Sequence, residues 1–126
     1  MDDRINDEEG RIINQYSEET IKITLNLIDS LIVNCERVRL KLKEGSSQLT
    51  LIINRLKALC ISKAVLERED CDFSNDEIAK AIVQITSIKK KSETGIGNVK
   101  EGSAAYTRFK RLIEAMEVIL SYLECP

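Results

Sequence analysis

Lys89, Lys90 and Lys91, followed by Gly95, Gly97, Lys100 and Gly102, are the residues whose types and spacing come closest to a chemical motif. Glycines let backbone N–H groups approach an anion and lysines neutralise it, so such a stretch could grip a phosphate. A Walker loop needs GxxxxGK and then Ser or Thr after a strand, but here Asn98 follows Gly97 and a helical pattern precedes it. The dinucleotide fingerprint GxGxxG fails as well, because GIGNVKEG places its third glycine too late and outside a strand-turn-helix unit. The stretch reads as a positively charged connection between two helices.

The rest of the sequence narrows the chemistry further. With no histidine, His-based triads, phosphorelay through a histidine, His metal ligation and His-dependent nucleases are excluded. Cys35, Cys60, Cys71 and Cys125 lack CxxC spacing and are separated by 24, 10 and 53 residues, which is no zinc-ligand pattern. Cys35 and Cys60 fall on apolar helical positions and are expected as reduced core thiols. The carboxylates occupy exposed positions or helix starts, without the inward Glu set of a di-iron bundle. We therefore expect no enzyme, no metal and no cofactor.

Spacing of the apolar residues sets the elements. Ser17, followed by Glu18 and Glu19, is a good N-cap, and Ile21, Leu25, Ile28, Leu31, Ile32, Cys35, Val38 and Leu42 follow a helical period, predicting a helix that ends near Lys43. Residues 44–47 form a turn whose serines can cap a second helix with Leu49, Ile52, Ile53, Leu56, Leu59, Cys60, Ala64 and Leu66 inward. The segment FSNDEI then holds a capping box, Ser74 with Glu77, flanked by Phe73 and Ile78 at the positions of a hydrophobic staple. This third helix turns Ile78, Ala81, Ile82, Ile85 and Ile88 inward and is expected to stop where Gly95 and Gly97 interrupt regular hydrogen bonding. Ser103 caps a fourth helix with Ala105, Phe109, Leu112, Met116, Ile119 and Leu123 on one face, widened by Tyr106 and Ile113. Residues 1–16 form an acidic N-terminal extension that frays or lengthens the first helix.

The chain of 126 residues is expected to form a single domain, residues 1–126, with an aliphatic core: 43% of residues are hydrophobic, with no Trp, two Phe and three Tyr. Short links favour an all-α, antiparallel four-helix bundle running up-down-up-down. No apolar run is long enough to span a bilayer, and Asp2 and Asp3 contradict the basic start of a signal peptide, so a cytoplasmic protein without a membrane partner is expected. GNVKEGS, residues 97–103, is similar over about seven residues to the NIAEG segment of four-helix-bundle proteins encoded in ribosomal RNA intervening sequences. That family's segment opens an early helix and is followed by an arginine-bearing stretch. Here the segment precedes the last helix and Ala104, Ala105 and Tyr106 follow, so no function is carried over.

The overall net charge of −2 hides strong alternation: −6 for residues 1–36, +6 for 37–63, −4 for 64–88, +5 for 89–111 and −3 for 112–126. Helix dipoles favour cations at C-termini and anions at N-termini, which accounts for Arg39, Lys41, Lys43 and, at the end of the third helix, Lys89, Lys90 and Lys91. Dipoles do not account for Arg55, Lys57, Arg108, Lys110 and Arg111, or for Glu67, Glu69, Asp70 and Glu124. In an up-down-up-down bundle the positive blocks share one end and the negative blocks the other. The expected contact set is Arg37, Arg39, Lys41, Lys43, Lys89, Lys90, Lys91, Lys100, Arg108, Lys110 and Arg111. Two uses of this basic pole are open: a non-enzymatic module docking a partner protein or a second copy of itself, and a nucleic-acid-binding subunit contacting phosphates. Against the second stand a pI near 5.3 and only Tyr106 and Phe109 as rings that could stack. No small-molecule substrate is evident.

Overall fold

Four serines start four helices. In the structure, a computed structural model that describes residues 16–68 and 72–124, these helices are α1 (Glu18–Arg39), α2 (Ser47–Leu66), α3 (Asn75–Ile96) and α4 (Ala104–Leu123). Ser17, Ser46, Ser74 and Ser103 are their N-caps, each hydroxyl oxygen accepting from a backbone N–H three residues on, at 3.1 to 3.2 Å. At α3 the capping box is complete, because Glu77 Oε1 also accepts from the Ser74 N–H at 2.9 Å. A serine cap satisfies a donor that the first turn leaves without a partner, and its loss typically costs about 0.5–2 kcal/mol. Ser74→Ala should therefore lower the unfolding free energy by that amount, read as a lower urea midpoint at unchanged slope, and an unchanged midpoint would show that the cap contributes nothing. The acidic extension expected at residues 1–16 lies, apart from Tyr16, outside the described residues.

No strand occurs among the described residues. Each helix packs on the next in sequence, α4 also meets α1 and α2, and α1 and α3 stay apart, which is consistent with a bundle. Every helix sends at least one wholly buried aliphatic side chain to a single core: Ile28, Leu59, Ile85, and Met116 with Ile119. Three hydroxyl residues share that interior, and each is satisfied within its own helix. Thr24 donates to the Thr20 carbonyl at 2.8 Å, Ser62 to Ala58 at 2.7 Å and Ser92 to Ile88 at 2.9 Å.

The structure corrects three expectations about the helices. α1 ends at Arg39 rather than near Lys43: Lys41 and Leu42 donate back to Val38 and Arg39, tightening the chain into turns before Gly45. Val38, expected inward, is 42% exposed, because the helix ends one residue later and nothing covers its last turn. Cys60 is exposed, since α2 turns Ala58, Leu59 and Ser62 to the core and leaves position 60 outside. α3 stops, as expected, within the glycine stretch: its last residue is Ile96 and its C-cap is Gly97, with Gly95 inside the last turn. A Cβ at Gly95 would stand 2.6 and 2.7 Å from the Phe109 ring, so this glycine makes room for α4. Glycines do shape the links: Gly45 and Gly102, at φ +83° and +90°, each precede a capping serine.

Candidate interaction surface

Of the eleven expected contact residues, four gather at the corner where α1 turns into α2. Arg37 and Arg39 lie in the last turn of α1, Lys41 and Lys43 in the turn beyond it, and all four are exposed. Arg39 is held by Glu36 at 2.8 Å and Arg37 donates to Asn34 Oδ1 at 3.5 Å. Lys41 and Lys43 have no ion-pair partner among the described residues.

The second positive block is less uniform. Lys89, Lys90 and Lys91 lie inside α3 rather than at its end, and the last turn of α3 carries no basic residue, so the helix dipole does not account for them. α3 continues through Ser92, Glu93 and Thr94 to Ile96 before Gly97 caps it, so the lysines lie more than a turn from its end. Lys90 and Lys91 are exposed, whereas Lys89 is half-buried with Nζ 3.5 Å from Glu117 Oε2 on α4. Lys100 is exposed in the link to α4, Lys110 is exposed on α4, and the Arg108 guanidinium lies 5.9 Å from the centroid of the Phe109 ring. Arg111 is set apart from the others: with Glu114 it borders a groove between α1 and α4, facing Thr20, Ile23 and Ser30.

Apolar residues at the α1–α2 corner are the feature that sequence reasoning missed. Leu40 is 83% exposed, and Val38 and Leu51 also stand in solvent. Their signal was present in residues 37–43, which read Arg-Val-Arg-Leu-Lys-Leu-Lys. Strict alternation has a period of two, and a helix of period 3.6 cannot turn all three apolar members inward.

At the other ends of these helices the surface is grooved and rich in carboxylates, with Lys22 and Arg68 among them. A cleft of about 460 Å³ joins Tyr16 and Glu18 at the start of α1 to Leu66 and Arg68 at the end of α2 and Tyr122 near the end of α4. The Tyr16 and Tyr122 rings stack across it, with centroids 6.3 Å apart. A second cleft of about 410 Å³ opens between Val65 of α2, Ile78 and Ile82 of α3, and Leu123 and Glu124 of α4. Glu18, Glu19, Glu67, Asp72, Asp76, Glu77 and Glu124 are all exposed in these segments.

The two described thiols differ sharply. Burial pushes the Cys35 thiol above its ordinary pKa, outweighing the opposing pull of the Arg55 charge, with a smaller upward contribution from Glu36. Cys60 opens into a groove of about 650 Å³ between α2 and α3, beside Lys57 and Gln84. In a chain with Cys71 and Cys125 replaced by serine, one thiol should react rapidly with a maleimide at neutral pH and a second only on unfolding. Cys60→Ser should abolish the fast phase. Loss of the slow phase instead would reverse the two environments.

The groove flanks offer little further chemistry. Lys80 pairs with Asp76 at 3.1 Å, and Lys63 with Asp29 of α1 at 2.9 Å, a hydrogen bond and charge that hold the Lys63 ammonium above its ordinary pKa. Among the described residues no three of Cys, Asp or Glu gather so as to hold a metal ion, and no helix is long and apolar enough to cross a membrane. Compared with known protein families, curated proteins and solved structures, the chain matches none.

Proposed function

We propose that this chain is a non-enzymatic helical interaction module that docks an acidic protein surface through its basic end. The observation that carries the reading is the α1–α2 corner, where Leu40 is 83% exposed between Arg39 and Lys41, a lysine with no ion-pair partner among the described residues. An exposed apolar cluster set among cations suits a partner that is apolar at its centre and acidic at its rim. Phosphates need only the cations. Phe109, one of the two rings near the positive blocks, is packed at Gly95, which weighs against base stacking.

The reading includes an up-down-up-down antiparallel bundle. Supporting it, the two clefts join the start of α1, the end of α2, the start of α3 and the end of α4. Helices of 20 and 22 residues extend about 30–33 Å, which carries the α1–α2 and α3–α4 links to the far side. The domain then has a basic pole, with Arg37, Arg39, Lys41 and Lys43 beside Lys90, Lys91, Lys100, Arg108 and Lys110, and an acidic pole opposite. Free Cys35 and Cys60 support a cytosolic setting.

Tagged wild-type, Lys41→Glu/Lys43→Glu and Glu67→Lys chains, purified from native cells, test the reading. Protein should co-purify with the wild type and Glu67→Lys and be lost from the double variant, with the 260 to 280 nm absorbance ratio remaining that of protein. Recovery unchanged by the double variant would remove the basic end from the interaction. A nucleic-acid ratio that disappears in the double variant, with binding falling steeply in salt, would make the same pole a phosphate binder instead.

A further inference from the structure

We infer that one acidic surface fitting the basic corner belongs to a second copy of this chain, so that copies associate head to tail. The inference rests on the docking role proposed for that corner and names its occupant. The corner offers a knob, Leu40, flanked by Lys41 and Lys43. The opposite end offers a hole, the cleft between α2, α3 and α4 with Val65, Ile78 and Leu123 in its wall and Glu124 at its edge. Apolar knob and apolar hole, cationic flank and anionic edge, are thus carried by one sequence.

Geometry makes the contact intermolecular. A helix of 20 residues separates its two ends by about 30 Å, so the corner of one copy cannot reach its own cleft. Because the two patches differ, the contact is heterologous: it leaves a free corner and a free cleft on every pair, and growth continues as a linear chain rather than closing as a dimer. The contact is also small. Four helices spaced 8–10 Å apart present an end face of about 400 Å² per partner, half the roughly 800 Å² of a standard interface. Association is therefore weak, concentration-dependent and sensitive to salt, because the charged rim is exposed.

Sedimentation velocity on the full chain, from micromolar to millimolar concentration at low salt, reads the association directly. The weight-average sedimentation coefficient of the wild type should rise with concentration and return to the monomer value in high salt. Lys41→Gln/Lys43→Gln and Glu124→Gln should each weaken association at least tenfold. Leu40→Asp, at an exposed position in a turn, should do the same with unchanged helicity. Mixing the two glutamine variants should restore a 1:1 heterodimer that grows no further, since each retains one intact end. A wild type that remains monomeric to millimolar concentration overturns the inference, and the proposed docking role survives that result if a partner is still retained through Lys41 and Lys43. Association that the mixture fails to restore overturns the head-to-tail arrangement.

Discussion

Ile85→Ala should lower the unfolding free energy by about 2–5 kcal/mol, the cost of deleting buried methyl and methylene groups and leaving a cavity. Ile85 has no exposed surface and belongs to the cluster that Ile28, Leu59 and Met116 build from the other three helices. Domains of this size are stable by about 5–15 kcal/mol, so the loss is a large share of the total. Val83, two residues away on the same helix, is 64% exposed, and Val83→Ala should stay within about 0.5 kcal/mol. Urea titrations followed by circular dichroism measure both, with the slope unchanged if the denatured state is unaffected. Equal effects at the two positions would mean that α3 does not present Ile85 to the core.

At Gly95 the expected result runs against helix propensity. Leucine is a better helix former than glycine by up to about 1 kcal/mol, and Gly95 lies within α3, so propensity alone predicts stabilisation by Gly95→Leu. The Phe109 ring occupies the space that the new side chain needs, with ring atoms 2.6 to 3.0 Å from the position of a Cβ. Overpacking of this kind costs about 1–3 kcal/mol, and net destabilisation should follow. In a Phe109→Ala background the obstruction is gone and the same substitution should be neutral or stabilising. The double-mutant cycle isolates this coupling. A Gly95→Leu cost that is identical with and without the ring would show that glycine serves another purpose at this position.

The helix count, the starting residue of each helix and most of the core were legible in the sequence, because they depend on interactions within a few residues. A serine hydroxyl reaches a backbone N–H three positions on, and a run such as Ile78, Ala81, Ile85 and Ile88 states its own period. The positive and negative blocks were legible too, whereas Val38 and Leu42 of the alternating run at residues 37–43 were read as part of the inward helical face. Tertiary structure decided the rest. α2 is apolar on several sides, so only the positions of α1 and α3 determine that Leu59 and Ser62 are buried while Cys60 opens into a groove. Gly95 has the same intrinsic freedom in a helix as in a turn, and it is the Phe109 ring, 14 positions later in the chain, that makes its missing Cβ a packing feature. Leu40 has the composition of a core residue, yet it lies one position beyond the end of α1, where no other helix extends far enough to cover it. Burial is a property of what stands opposite a residue, and that neighbour is set by packing between helices rather than by local spacing.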